Sequence, residues 1–439
     1  MLTVLGGGPA GLAVGYYARR AGIDCRVFEA GEHPGGNCIT FEHGGFRFDS
    51  GAHRFHDKDA EITSDVRELL GEELQLIEVP SYIYDDDRLV DFPLSSLNLL
   101  RHLGVASFAK AGTEVLSGRL LGGRQPANFE DFAVATYGRT IAGRFLLNYS
   151  RKLWGLPCDR LSPDVAGKRL NGLDLKTFLS AAVGGRRASA RHMDGRFWYP
   201  RRGYGQIAEA LVAACGDGAV QPRSRVTRLR HDGTRITSIE INGEREIEAG
   251  EVVCTLPLDL LLRILDPAPE PSLRELTAGM RYRNVILAAF FLDRSSVNDA
   301  GTVYFPSERF PFTRIYEPRN RSALMSPPGR TSLVTEIPCT AGDDVWKLDD
   351  ASILALAREP LAAIGWLRDR EIIDATVRRL PYAYPVLETG YEAKVAAIHG
   401  HLTRLENLQF SGRSGKFLYS WLHEMLRFGK DIVAELAVR

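Results

Sequence analysis

The sequence lacks several features that would each assign it to a particular class of protein. Its six cysteines show no Cys-x-x-Cys or Cys-x-x-His spacing, which argues against a structural zinc site and a disulfide framework and suits a reducing compartment. Lys plus Arg equals Asp plus Glu at 55 each, so the basic excess of a nucleic-acid binder is missing. No apolar run approaches the roughly 20 residues that a bilayer span requires, and the first residues lack the basic flank of a secretory signal. We therefore expect a cytoplasmic protein that acts on a small molecule, binds no nucleic acid or metal, and makes no integral membrane contact.

The length and the hydrophobic periodicity predict several structural parts. A chain of 439 residues suits two or three parts that share a cleft. Apolar residues spaced three and four apart predict helices through much of 92–200, and alternation predicts strands from about 220 onward. The first helical stretch, over 92–116, either packs within the protein or lies along a membrane surface.

We expect an α/β fold, α+β overall, with a Rossmann-type dinucleotide-binding domain, an inserted helical domain and an antiparallel-sheet substrate domain. The predicted boundaries are 1–80, 200–275 and 400–439 for the discontinuous dinucleotide-binding domain, 92–199 for the helical insert, and 81–91 with 276–399 for the sheet domain.

A glycine-rich turn follows the first predicted strand. In GGGPAG, Gly6 permits a tight turn, Gly8 lets the backbone approach a pyrophosphate, and Gly11 lets the helix pack on the strand. Pro9 and Ala10 open the predicted helix, whose N-terminus favours negative charge. This pattern predicts a dinucleotide site.

The residues after the second predicted strand indicate which dinucleotide binds. Glu29 stands 18 positions beyond Gly11, where a carboxylate should accept hydrogen bonds from the adenosine ribose. The Gly35–Gly36 pair follows closely and lets a long dinucleotide run past the backbone. This arrangement favours FAD over NAD.

Further motifs are spread over most of the chain. They are GGN at 35–37, DSGAHRFH at 49–56, YSRKLWG at 149–155, YPRRGYGQIAEAL at 199–211, SRVTRL at 224–229, PFTRIYE at 311–317, AYPV at 383–386 and GRSGKFLY at 412–419. Together they resemble the flavoprotein group that contains UDP-galactopyranose mutase and the protoporphyrinogen-oxidase-like amine oxidases. The GGN, WG and FTR–E elements favour the mutase branch.

The resemblance implies further FAD contacts, at Gly36, Asn37, His53, Val226, Gly412, Arg413 and Leu422. His53 would lie beside the flavin ring and tune the protonation of its reduced form, because histidine titrates near neutral pH. The alternative is an ordinary histidine of the core or of a loop.

The resemblance also implies a substrate site, formed by Tyr149, Trp154, Arg169, Arg314, Tyr384 and Tyr419. Tyr149 would stack on uracil, Trp154 would line the sugar cleft, and the remaining four would hold a diphosphate. Arg314 lies among apolar residues of a predicted strand, where an unpaired charge is costly and a diphosphate is a suitable bidentate partner. A salt bridge to a neighbouring acid such as Glu317 is the alternative for Arg314, and core packing is the alternative for the aromatic residues. Tyr149 and Trp154 are about 140° apart on a helix, so a shared ligand requires a bend near Gly155.

By this resemblance the chain is a flavin-dependent mutase of UDP-hexopyranose or a related NDP-sugar, an isomerase of cell-surface polysaccharide biosynthesis. N5 of reduced FAD would attack the sugar, His53 and Arg314 would serve catalysis, and NAD(P)H is a candidate reductant. The alternative is an FAD-dependent oxidoreductase of the amine oxidase or protoporphyrinogen oxidase type. The segment Ser420–Glu424 favours that alternative, because mutases carry a polar run with an Asp there. The sequence leaves the oligomeric state open, a homodimer included.

Overall fold

Helices and strands are both abundant in the chain. The computed structural model describes residues 1–94, 96–121, 125–167 and 195–438. Helices make up 41% and strands 27% of the structure, which confirms the predicted mixed fold. Arg169, one of the predicted substrate residues, lies outside the described residues.

A five-stranded parallel sheet is built around the first residues of the chain. Leu2–Leu5 is its central strand, with Glu251–Cys254 on one side and Cys25–Phe28 on the other. Leu408–Phe410 and Val220–Gln221 form the two edges. All four residues of the central strand are buried, as expected for a parallel strand that is covered on both faces.

The helix Pro9–Arg20 packs between two other helices, Gln206–Cys215 and Leu422–Val438. Gly429 of the last helix lies so close to this first helix that an added Cβ would come within 2.9 Å of the Val14 nitrogen. The C-terminal helix is therefore part of the same layer as the first βαβ unit.

A four-stranded sheet adjoins the parallel sheet. Its strands follow the order Arg245–Glu248, Ile236–Ile241, Val226–His231 and Leu265–Asp266. Asn407 joins the two sheets: its side-chain amide donates to the carbonyl oxygens of Ile236 and Gly250, and its Oδ1 accepts from the Ile236 nitrogen.

A seven-stranded sheet forms the second large layer. Its strand order is Ile372–Pro385, Tyr282–Leu292, Thr331–Thr340, Arg314–Tyr316, Thr302–Tyr304, Ser81–Asp85 and Arg88–Phe92. The pairings are antiparallel except between Thr302–Tyr304 and Ser81–Asp85. One face packs on the helix Asp350–Ala363, and the other on the hairpin Thr40–His43 and Phe46–Asp49.

The predicted helical stretch contains two long, kinked helices. Ser96–Leu121 is interrupted at Gly104 and Phe129–Ile141 at Gly138, both with positive φ. A π-helical turn, Ala142–Leu147, leads into the helix Asn148–Trp154.

Ser96–Leu121 buries Leu99, Ala111 and Val115 and exposes Val105 and Leu116. The helix therefore packs within the protein along one side. Among the described residues, no helix has both the length and the apolar character needed to cross a bilayer.

The remaining elements connect these layers. Leu74–Glu78 and Arg196–Pro200 form a small antiparallel sheet. Within the described ranges the other α-helices are Ala60–Leu70, Leu258–Ile264, Pro271–Ala278, Asp344–Lys347, Tyr391–Leu402 and Gly412–Gly415.

We predict that Asn407→Leu destabilises the protein by about 3 kcal/mol, because three buried hydrogen bonds are lost at roughly 1 kcal/mol each. Urea denaturation followed by circular dichroism measures the change. Asn148→Leu, which loses an exposed hydrogen bond from Arg151, is the control. A free energy of unfolding equal to that of the wild type would show that Asn407 does not join the two sheets.

Candidate active site

The glycine-rich turn and the Gly35–Asn37 loop face each other. The Gly35 nitrogen donates to the Gly7 carbonyl oxygen at 2.8 Å. A Cβ on Gly36 would come within 3.1 Å of the Gly8 Cα, so the two backbones approach at residues without side chains. Pro9 is the first residue of the helix, and Ala10 is buried beneath the turn. A polar dinucleotide can run across these glycines, where no side chain obstructs it, and meet the helix N-terminus.

Glu29 and Val226 lie at the same edge of this region. The Glu29 carboxylate accepts from the Gly7 nitrogen at 2.8 Å and from the Gly31 nitrogen at 2.7 Å. Two backbone donors leave a carboxylate with further acceptor capacity, which suits ribose hydroxyls. The Ser224 nitrogen donates to the Glu29 carbonyl oxygen, which brings the start of the Val226 strand beside Glu29.

The closing segment contains buried polar atoms that lack protein partners. Arg413 donates from Nη1 to the Ala383 carbonyl oxygen and from Nη2 to the Ser420 carbonyl oxygen. Its Nε and the hydroxyls of Ser411 and Ser420 are buried without a hydrogen-bond partner among the described residues. Each such atom costs about 1–3 kcal/mol.

The segment also packs against the first helix. A Cβ on Gly412 would lie 2.7 Å from the Ala10 Cβ, and Leu422 is buried at the start of the last helix. The orphaned donors beside a glycine cradle fit a bound flavin dinucleotide.

His53 lies in a tight loop next to Asn37. The Ser50 hydroxyl donates to the Asn37 carbonyl oxygen at 2.7 Å, so it accepts from Nε2 of His53 at 3.1 Å. The ring stacks on Tyr204, with centroids 4.9 Å apart. Burial, together with the charges of Arg314, Arg321 and Arg413, lowers the pKa of His53 to about 3. His53 is therefore a neutral imidazole near pH 7.

Arg314 forms a buried ion pair with Glu336. Nε donates to Oε2 of Glu336 at 2.8 Å, and Nη2 donates to the same oxygen and, at 3.2 Å, to the Tyr384 hydroxyl. The other oxygen of Glu336 accepts from the Ala52 nitrogen at 2.6 Å. Burial alone would lower the pKa of Arg314, but the Glu336 carboxylate outweighs it and holds the pKa well above its usual value.

The alternative for Arg314, a salt bridge to an acid, is thus confirmed, but the acid is Glu336 and the expected partner Glu317 is wrong. Glu317 stands three residues along the chain, so it projects from the opposite face of the strand, where its carboxylate accepts from Val297, Asn298 and Thr331. Glu336 is the cross-strand neighbour of Arg314. That pairing depends on strand order and register, which Arg314 and its neighbours in sequence do not reveal.

Aromatic side chains from three segments meet beside Arg314. The Trp154 ring lies 6.0 Å from Tyr384 and 5.7 Å from Tyr419, and these two tyrosine rings are 6.0 Å apart. The Arg413 guanidinium lies 5.4 Å from both tyrosine rings. Tyr149 contacts Tyr304 instead, at 5.8 Å.

Tyr304 is directly opposite Arg314 in the sheet. The structure thus brings Trp154, Tyr384, Tyr419 and Arg314 together and places Tyr149 beside them.

Two buried cations hold the helix that carries Tyr149 and Trp154. Lys152 donates to the carbonyl oxygens of Phe305, Ser307 and Phe312, and burial lowers its pKa to about 7. Arg283 donates to the carbonyl oxygens of Lys152 and Leu153. These bonds fix the end of the helix against the seven-stranded sheet.

Sequence reasoning missed several residues of the site. Glu336 carries the same signal as Arg314, a charge within an apolar strand (TSLVTEIP). Tyr204 and Tyr304 lie within or near quoted motifs, but tyrosine is common in cores. Arg321 stands in an irregular segment that gives no signal.

Comparisons with known proteins place the chain among flavoproteins. The family described as flavin containing amine oxidoreductase matches residues 9–414. Phytoene dehydrogenase of Streptomyces griseus is 27% identical over 302 residues, which is 62% of this chain and 57% of that relative. The alignment therefore spans less than two thirds of the relative.

Two solved structures have the same fold over nearly the whole chain. Reduced UDP-galactopyranose mutase matches with a TM-score of 0.85 and 19% identity, covering 99% of this chain and 95% of that one. A putative protoporphyrinogen oxidase from Exiguobacterium sp. 255-15 matches with a TM-score of 0.76 and 16% identity, covering 100% and 98%. At these identities the likeness shows the fold alone.

We predict that Gly8→Val folds but loses the cofactor. Gly8 has ordinary extended dihedral angles, and an added Cβ would meet only the Gly36 Cα, at 3.9 Å. The valine side chain would instead occupy the pyrophosphate path. Flavin absorbance per protein chain, with a circular dichroism melting curve, checks both points. Gly11→Ala is the contrasting variant: its Cβ would lie 2.0 Å from the Gly6 carbonyl oxygen, so it should lower stability. Full flavin occupancy in Gly8→Val would mean that the site is wrongly assigned.

We predict that His53 makes the fold sensitive to acid. Its pKa is lowered in the folded state to about 3, against about 6.5 unfolded. The unfolded chain therefore binds more protons between these values, and stability falls as the pH drops from 6.5 towards 3. His53→Asn should lose stability less steeply over this window, measured by urea denaturation at several pH values. His33→Asn, at an exposed position, should parallel the wild type. Identical pH dependence of His53→Asn and the wild type would contradict the prediction.

Proposed function

The chain belongs to the flavin-containing amine oxidoreductase family, and from this premise we propose that it is an FAD-dependent mutase of a nucleotide sugar such as a UDP-hexopyranose. The family match and the two shared folds confirm the predicted resemblance, and an FAD-dependent enzyme of this superfamily follows from them. The mutase activity is the proposal.

One observation carries it: a guanidinium, two tyrosines and a tryptophan from distant segments meet at one point beside the cofactor region. Arg314 bonds to the Tyr384 hydroxyl, and Trp154 contacts both Tyr384 and Tyr419. A cluster of donors with aromatic walls suits a diphosphate attached to a sugar. The structural likeness to UDP-galactopyranose mutase supports the same assignment.

The ion pair with Glu336 determines what Arg314 offers to a substrate. Glu336 occupies Nε and Nη2, which leaves Nη1 to donate to a phosphate oxygen. Burial raises the pKa of Tyr384, so its hydroxyl stays protonated and is a donor. Arg413, which has no acidic partner among the described residues, supplies positive charge behind both tyrosine rings.

The flavin site is assigned to the residues that fit it. Gly8 and Gly36 would flank the pyrophosphate, Glu29 would bind the ribose, and Arg413 would bind near the flavin. When bound, reduced FAD supplies the nucleophile of such a mutase. His53 would be a neutral imidazole beside it, which donates from Nε2 to the Ser50 hydroxyl. NAD(P)H as reductant, a cytoplasmic location, a homodimer and a role in cell-surface polysaccharide synthesis belong to the same proposal.

An FAD-dependent oxidoreductase is the second candidate. The relative that is named phytoene dehydrogenase favours it, as does the segment after Tyr419. Trp421 packs there against His56 and beneath Lys58, whose Nζ lies 3.6 Å from the ring centre.

Product analysis separates the two candidates. Dithionite-reduced protein incubated with several NDP-hexopyranoses should yield ring-size isomers without net consumption of reductant. Substrate oxidation coupled to oxygen uptake would support the oxidoreductase.

We predict that UDP binds the wild-type protein and that Arg314→Lys weakens the binding at least about 30-fold, because an ammonium cannot bond to Glu336 and Tyr384 and also present a separate donor to a phosphate oxygen. Tyr384→Phe should weaken it less, through the loss of one donor. Tyr282→Phe is the control: Tyr282 is buried on the adjacent strand, and its hydroxyl has no partner among the described residues. Calorimetry gives the affinities, and flavin absorbance verifies that the cofactor is retained. Absence of UDP binding by the wild type would remove the main support for a sugar-nucleotide substrate.

A further inference from the structure

Arg321 enters the core without an acidic partner. It is 2% exposed, and within the described ranges no carboxylate oxygen forms an ion pair with it. Its guanidinium donates to three neutral acceptors: the carbonyl oxygens of His53 and Gly301, each at 2.9 Å, and the Thr302 hydroxyl at 3.1 Å. Its Nε has no acceptor there. A buried charge in such surroundings is costly.

Aromatic rings surround the guanidinium, and one of them bonds to a buried acid. Its central carbon lies 5.1 Å from the ring centre of Tyr316, 5.7 Å from Tyr199 and 6.0 Å from Phe197. The Tyr199 hydroxyl donates to the buried Asp49 carboxylate at 2.6 Å. Burial raises the pKa of Asp49, although Tyr199 and Arg321 act against the increase. Arg321 therefore interacts with Asp49 through its charge, without a salt bridge between the two.

The charge of the Arg321 guanidinium lies next to the His53 loop. The Arg321 bond to the His53 carbonyl oxygen fixes the backbone at the residue proposed to lie beside the flavin. The charged and titratable groups that face His53 are Arg314 and Glu336 from the sheet, Arg413 from the closing segment, Arg321, Asp49 and Tyr204. Glu336 balances Arg314, and no acid in the described part of the chain balances Arg321 at contact distance.

We propose that Arg321 is a positioning residue of the flavin site, which holds the His53 loop in place and supplies a fixed positive charge behind it. The inference rests on the proposed placement of flavin beside His53, but it does not depend on the mutase activity. A fixed cation favours the more negative, reduced form of a bound flavin. The charge therefore raises the reduction potential of the cofactor.

Thr302 allows the charge to be neutralised while Arg321 stays in place. Its hydroxyl already accepts from Arg321, and the residue is completely buried. Thr302→Asp would put a carboxylate on the guanidinium, whereas Thr302→Asn has nearly the same shape and no charge. Comparison of these two variants separates the effect of the added charge from the effect of the changed packing.

The test is the two-electron midpoint potential of the bound flavin, measured by dye-coupled reduction of the holoprotein. Thr302→Asp should lower the potential by at least about 30 mV, a tenfold change in the ratio of reduced to oxidised flavin, and Thr302→Asn should leave it unchanged. Arg321→Met should lower the potential in the same direction. Arg283→Met removes another buried arginine, which does not contact His53, and should leave the flavin potential unchanged.

Two results would overturn the inference: an unchanged potential in Thr302→Asp with flavin bound, or an equal decrease in Thr302→Asn. A wild-type protein that binds no flavin would overturn the placement on which it rests. If Arg321→Met does not fold, Arg321→Lys replaces it; because it keeps the charge, its potential should stay within 30 mV of the wild type. If the protein does not isomerise NDP-sugars but Thr302→Asp shows the expected shift in potential, the mutase proposal fails. The proposed role of Arg321 at the flavin site is then still supported.

Discussion

The convergence of three guanidinium groups on His53 is the constraint on which the site depends. Each positive charge must be removed from water, which is costly unless the surroundings replace the lost hydration. Arg314 receives a carboxylate from the neighbouring strand, and Arg413 receives two carbonyl oxygens and two tyrosine rings. Arg321 receives neutral acceptors and three rings. These different solutions leave the region with positive charge that a phosphate or a reduced flavin can use.

The sheet order makes these solutions possible. Glu336 can bond to Arg314 because Thr331–Thr340 lies beside Arg314–Tyr316, and its second oxygen then reaches the Ala52 nitrogen in the His53 loop. One carboxylate thus joins the seven-stranded sheet to the His53 loop. A displacement of either strand would therefore move both the Arg314 side chain and the His53 loop.

The sequence predicts the local parts of this structure better than the distant contacts. The βαβ unit and the glycine turn follow from periodicity and from the spacing of Gly6, Gly8 and Gly11, because each is formed by neighbours in the chain. The burial of Arg314 also follows from its apolar surroundings. Its partner does not, because strand pairing sets that contact across 22 residues. Arg321 escapes prediction for a related reason: its acceptors come from two segments, one of them 268 residues away.

The choice between mutase and oxidoreductase depends on the side chains beside the cofactor rather than on the shared fold. The cluster of Trp154, Tyr384 and Tyr419 next to Arg314 presents hydrogen-bond donors, and burial keeps the Tyr384 hydroxyl protonated by raising its pKa. An apolar substrate would offer no acceptor to Nη1 of Arg314 or to the Tyr384 hydroxyl, whereas a diphosphate would accept from both. Trp421, at the position where the resemblance implies a polar run, packs against His56 and Lys58, and the cluster that we propose for a diphosphate is formed by other residues. The divergent segment therefore bears on the sugar or the reaction, and the donors beside Arg314 still favour an anionic substrate.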